Sequence, residues 1–129
     1  LQMQAHHFLL TLEIESALEK DYLALDLKLQ GLLKKYGITP FSLELQILTA
    51  HFETFYLKQP SLGKQLLQNT LQLPLNIREE SKVKMELADI LIYDEKFNQA
   101  ILYYAQVEEN LKNDKNNNTS TNTFIYIGR

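Results

Sequence analysis

The chain has 129 residues, 45% of them apolar and 22% charged, the balance of an ordinary soluble globular protein. That is enough chain for one modest domain, which buries roughly two-thirds of its unfolded surface and needs no metal or disulfide staple. The net charge of −3, with no Lys/Arg run beyond Lys34-Lys35, argues against nucleic-acid binding, which calls for a basic face. Cysteine is absent, so disulfides and thiolate metal sites are excluded. No apolar run reaches the ~18 residues that suggest a membrane span, and no membrane insertion or signal peptide is expected. The chain opens on Leu1 rather than methionine, which reads as a fragment or a processed product.

In chain order, the apolar spacing predicts six helices, over residues 3–18, 21–36, 40–57, 60–72, 77–93 and 95–112. The second carries Tyr22, Leu25, Leu29, Leu32, Leu33 and Tyr36 on one stripe. It closes on Lys34-Lys35 and Gly37, cations in the last turn followed by a glycine cap. Thr39-Pro40 reads as an N-cap and a first-turn proline opening the third helix. Leu62, Leu66, Leu67 and Leu71 mark the fourth helix, which Leu73-Pro74 ends. Asn76 with Glu79 three residues on is a capping box for the fifth. The sixth carries Phe97, Ala100, Ile101, Tyr104, Val107 and Leu111 on its apolar stripe. Short connections make consecutive helices antiparallel neighbours. Residues 113–123, NDKNNNTSTNT, cannot bury a face and read as a flexible loop. No hairpin signal of the Asn-Gly type occurs, so the fold class is all-α.

The helices also recur in pairs. Tyr22, Pro60 and Phe97 open the second helix of each pair and stand 38 and 37 residues apart. The segment KMELADILIYDEKFNQAILYYAQV, residues 84–107, resembles a tetratricopeptide repeat through Leu87-Ala88, Leu91, Phe97, Ala100, Ile101, Tyr104 and Val107. In that family small residues let the two helices of a hairpin approach closely, and Ala88 and Ala100 occupy those places. Residues 44–74 match less closely, with His51 in the first small place and Gly63 in the second. Residues 6–37 match least, since Leu25 and Glu13 stand where small residues belong. TFIYIGR, residues 123–129, either opens a fourth, truncated repeat or forms a short tail. The departures are a chain without tryptophan, Lys84 at a normally bulky place and no proline closing the third repeat.

The resemblance implies a repeat domain over residues 1–112, a right-handed superhelix of about three antiparallel helix pairs. First helices then line a concave groove that holds a protein or peptide. Carried over residue by residue, the partner-binding groove comprises Leu48, Phe52, Phe55, Tyr56, Lys82, Met85, Asp89 and Tyr93. Leu45 and Ile92 belong to the same surface, and His7, Leu10 and Ile14 follow from the first repeat. Lys82 stands without the Lys, Arg and Asn set that clamps acidic tails, so an apolar or aromatic segment is the expected ligand. The implied function is a protein–protein interaction scaffold. The alternative is a sensory or regulatory module of a larger signalling protein, and a homodimer through the groove or an open solenoid end is a third arrangement.

No enzyme is expected. His6 and His7 are adjacent and point about 100° apart on a helix, so they do not share a metal ion with Glu13 and Glu15. No HExxH, phosphate-binding loop or GxSxG occurs. REESKVKME, residues 78–86, reads as a solvated helix face with local ion pairs. No metal or cofactor is called for.

Overall fold

The computed structural model describes the backbone of residues 2–117 and the side chains of residues 2–114. These residues form six helices and no strand. They are α1 (Gln2–Ser16), α2 (Tyr22–Tyr36), α3 (Leu43–Phe55), α4 (Pro60–Thr70), α5 (Ile77–Tyr93) and α6 (Phe97–Asn117). Short 3-10 turns, Glu19–Asp21 and Pro40–Ser42, lead into α2 and α3. The all-α class and the six helices stand where the apolar spacing put them. Most boundaries fall within three residues of expectation; the largest difference is at the end of α6, which runs five residues past its expected end, through residues 113–117. Leu111, just before this stretch, is buried against Met85 of α5, and Asp114 accepts from Arg78 Nε at 3.0 Å, so Asp114 ties the start of the polar sequence to α5. Residues 118–123 of the expected loop and the expected repeat start at 124–129 lie outside the described residues.

The chain divides into two compact units, one ending at Pro74 and the other beginning at Leu75. The first holds α1 to α4. Its organising helix is α3, against which α4, α2 and α1 all pack. The core comprises Leu10, Ile14, Leu25, Leu29, Leu33, Leu45 and Phe52. The Phe52 ring stacks on Tyr56 at 5.5 Å and meets the edge of Tyr22 at 5.7 Å, geometries aromatic quadrupoles favour. The second unit is the α5–α6 hairpin, with Ala88, Leu91 and Ala100 in one cluster and Met85, Val107 and Leu111 in another.

The helix ends follow local chemistry. Asn76 Oδ1 accepts from the Glu79 amide at 2.8 Å while Glu79 Oε1 accepts from the Asn76 amide at 3.0 Å, the expected reciprocal cap. Gly37 adopts φ +80° and donates its amide to Leu33 O at 2.7 Å, closing α2. Thr39 stands at the N-cap with Pro40 in the first turn, as expected, at the start of the 3-10 turn that leads into α3, and its amide donates to Ser42 Oγ at 3.3 Å.

The turns of the two later hairpins share a feature. Lys58, before α4, has φ +59°, and Glu95, before α6, has φ +60°. These left-handed residues stand 37 positions apart, the spacing that separates Pro60 from Phe97. Each turn is held by main-chain bonds back to its first helix: Gln59 N to Glu53 O at 2.8 Å and Lys96 N to Leu91 O at 2.8 Å.

Small residues sit where helices approach. Ala88 and Ala100 are fully buried together, which is why a larger side chain at 100 is excluded. In the earlier pair Gly63 is buried. The fully buried small residue of α3 is Ala50, one position before His51. That step turns the side chain about 100° around the helix and leaves His51 half-buried against the Phe55 ring at 4.8 Å. In the first pair, α1 and α2 each approach α3 more extensively than they approach one another.

Candidate functional site

The residues expected in a groove fall into three groups. Phe52 and Met85 are interior. Phe52 fills the core of the first unit, and Met85 packs on Val107 and Leu111 in the second. Neither offers surface to a ligand, because each lies on the side of its helix that faces its own neighbours. Leu45, Leu10 and Ile14 are buried for the same reason. Leu48, Phe55 and Tyr56 are half-buried on α3. Leu48 and Tyr56 lean on the core, and Tyr56 also meets Tyr22 edge-on at 5.6 Å. On α5, Lys82 is exposed, Tyr93 is exposed and Asp89 is half-buried. Asp89 Oδ1 accepts from the Tyr104 hydroxyl at 2.7 Å, so α6 fixes that carboxylate's direction. Ile92 is exposed beside Tyr93.

Other parts of the apolar pattern face solvent. Phe97 and Ile101 were placed on the inner stripe of α6, yet both are exposed, while Ala100, Tyr104, Val107 and Leu111 face inward. Leu62 is likewise exposed on α4. The stretch 78–86 is only partly a solvated face. Lys84 pairs with Glu80 at 2.6 Å, but Ser81, Val83, Met85 and Glu86 are buried.

The first unit also contains buried polar groups that apolar spacing did not reveal. Gln46 Nε2 donates to Thr39 O at 2.8 Å and to Ser42 Oγ at 2.9 Å. Gln46 Oε1 accepts from the Thr70 hydroxyl at 2.6 Å. Ser42 donates onward to Gly37 O at 2.6 Å. The network therefore ties the α2–α3 connection to the end of α4 with each polar atom partnered, the condition for burying such groups without loss. Glu53 lies further along α3 and is also buried. Gln30 Nε2 donates to its Oε2 at 3.2 Å. Burial raises the Glu53 pKa above the ordinary carboxylate value; the Gln30 hydrogen bond opposes this, and the charge of Asp26 adds to it. The sequence signal was available: Gln46, Thr49 and Glu53 stand at helical spacing on one face of α3.

Where α1 and α2 stand apart, a cleft of about 290 Å³ opens between Glu13, Ser16 and Ala17 on one side and Asp21, Ala24 and Lys28 on the other. Lys28 Nζ bridges it to Glu13 Oε2 at 2.9 Å. Among the described residues no three His, Asp or Glu side chains converge to hold a metal ion. Among them, too, no helix is long and apolar enough to cross a membrane.

Comparison with protein-family models, curated proteins and solved structures gave no match.

Proposed function

We propose that the chain is a protein–protein interaction scaffold built of tetratricopeptide-like helical hairpins, the class that stacks into a right-handed superhelix. In this reading it binds an apolar peptide or helix through side chains of α3 and α5. The observation that carries the reading is the recurrence of one hairpin design. The α3–α4 and α5–α6 turns each place a left-handed residue 37 positions apart, and the first helix of each pair keeps aromatic surface after packing on its own partner. That surface is Phe55 and Tyr56 on α3 and Tyr93 on α5. Rings of this kind supply large contact area at small entropic cost, the composition of binding faces. Lys82 adds charge about three turns before the α5 aromatic, while Phe52 and Met85 serve the interior.

The test pairs two baits in a pull-down, the 129-residue chain and its Phe55→Ala, Tyr93→Ala double variant, with helicity matched by circular dichroism. A protein held by the first and lost by the second is the expected result. A photo-crosslinking side chain at position 55 then joins that protein to α3. Identical sets of captured proteins from both baits overturn the reading.

A further inference from the structure

We infer that the outer face of α2 docks an acidic amphipathic helix of a partner protein, laid antiparallel to α2 with its acidic first turns beside Lys34 and Lys35. The face is bounded by the sides of α2 already in use. Leu25, Leu29 and Leu33 are buried in the first unit's core. Gln30 Nε2 donates to Glu53 of α3 at 3.2 Å and to Asp26 at 3.5 Å, so the one carboxylate of α2 lies toward α3. Lys28 reaches the other way, to Glu13 of α1 at 2.9 Å. Between these flanks Leu23, Leu27, Gly31 and Lys34 follow one another at i, i+4, i+8 and i+11, with Ala24 and Lys35 beside them. All six are exposed, Leu23 and Leu27 to 72% and 65%.

Charge and shape select the occupant. The face carries no carboxylate; its exposed cations, Lys34 and Lys35, stand together at the C-terminal end of α2 and its leucines at the N-terminal end. The chain as a whole has a net charge of −3, so this basic end is local and not a share of a general positive charge. A complementary ligand is acidic at one end and apolar at the other. Gly31, midway, points to a helix. Glycine inside a helix is destabilising relative to alanine, and a Cβ at position 31 would meet nothing within 4 Å, so the chain's own packing does not call for it. Bare backbone there lets a second helix come close, as Ala88 and Ala100 do in the last hairpin. A lipid surface would gain nothing from the missing side chain. The dipoles set the direction. Acidic residues favour the first turn of the partner helix, where its dipole is positive, and α2 is negative at the end that carries Lys34 and Lys35. Antiparallel packing brings those two ends together and lays the partner's apolar residues along Leu27 and Leu23. This surface is separate from the α3 and α5 side chains of the proposed scaffold reading and does not depend on them.

The probe is a fluorophore-labelled synthetic peptide with Asp and Glu in its first two turns, then an alanine, then leucines at i, i+4 spacing. Anisotropy with the 129-residue chain is expected to show saturable binding that salt weakens. A second peptide of the same composition, with its acidic turns moved to the C-terminal end, is expected to bind about tenfold more weakly. Leu23→Ser with Leu27→Ser is expected to weaken the first peptide by about tenfold with helicity unchanged, because both side chains already stand in solvent. Lys34→Gln with Lys35→Gln is expected to remove the salt dependence and the preference between the peptides. Gly31→Gln separates docking from folding: it is expected to raise the thermal midpoint of the chain and yet weaken the peptide. No saturable binding, equal binding of the two peptides, or a Gly31→Gln chain that binds as the parent does overturns the proposal. So does binding of phosphatidylserine-rich vesicles through the same lysines in preference to the peptide, which assigns the face to a lipid surface.

Discussion

At the scale of single residues, two features break the general rules of a helical interior, and each has a measurable consequence. Glu53 is a buried carboxyl with one oxygen held by Gln30 and the other, Oε1, without a hydrogen-bond partner. Burial lifts its pKa, Asp26 adds to the rise and Gln30 opposes it. The folded chain therefore keeps a proton on Glu53 at pH values where the unfolded chain has released it. From the ordinary carboxylate value of 4.5 up to the raised folded value, stability falls as pH rises, because the unfolded state binds fewer protons. Glu53→Gln removes the ionisable group and keeps its shape. It is expected to stabilise the chain at neutral pH by on the order of 1 kcal/mol and to erase this part of the decline. Urea midpoints measured from pH 4 to 8 check both. A variant with the same pH profile as the parent would remove Glu53 from the account.

The second feature is the pair of left-handed residues, Lys58 and Glu95. Side chains with a Cβ are strained there, whereas glycine is not. Lys58→Gly and Glu95→Gly are each expected to raise stability by about 0.5–1 kcal/mol, the relief of strain less the greater entropy glycine brings to the unfolded chain. Thermal unfolding of the two single variants and the double variant measures this. Equal gains at both sites would show that the turns are energetic as well as geometric counterparts. A loss at either would mean that its lysine or glutamate side chain contributes more than the strain it causes.

At the scale of elements, closeness of helices tracks the size of the residues between them. Ala100 lies fully buried with Ala88 and Leu91 where α5 and α6 meet, while Ile101, one residue on, stands in solvent. Ala100→Leu forces extra methylenes into a filled contact and is expected to cost about 1–3 kcal/mol. Ile101→Lys is expected to stay within about 0.5 kcal/mol of the parent, since it removes no contact. Chemical denaturation of the two variants separates the readings of the alanine, because a position small by chance would accept the leucine. The same pair of neighbours shows what apolar spacing reveals. It located all six helices, and the Asn76–Glu79 pattern located the α5 cap, because periodicity and caps are local properties of the chain; the small places of the last hairpin came from the repeat resemblance. Apolar spacing could not decide which of two adjacent apolar residues faces inward, because a stripe wider than the contact leaves its margin exposed. Phe97 and Ile101 lie on that margin. The reverse error occurred on α3 and α5, where Phe52 and Met85 were assigned to a binding face although neighbouring helices cover them. Burial by a neighbour depends on packing that no single helix's pattern contains. The helical spacing of Gln46 and Glu53 is legible in the sequence, but their partners, Thr70 and Gln30, stand on other helices and are set by packing.

At the scale of the whole molecule, α3 and α1 stand at opposite ends of the first unit's hierarchy of support. α3 packs against α4, α2 and α1, supplies Leu45 and Phe52 to the core, and carries Gln46 of the buried polar network. α1 gives the core Leu10 and Ile14 and approaches α3 closely, but keeps apart from α2 and leaves Phe8, Leu9 and Leu12 uncovered. Amides open with free energies set by how much packing must be undone, so the α3 amides from Thr49 to Phe55 are expected to exchange slowest in this unit and those of α1 fastest among its helices. Hydrogen exchange at a single low concentration tests that order. Repeating it with the acidic peptide at saturation separates the frayed edge of the unit from its docking face. If the outer face of α2 takes no ligand, the α2 amides exchange at the same rate in both samples. If the peptide lies along it, binding stabilises the docked form by mass action, and protection of α2 rises while α1, which packs chiefly on α3, frays as before. Protection in α1 that matches α3 in the absence of peptide would show that packing on α3 alone holds the helix in place.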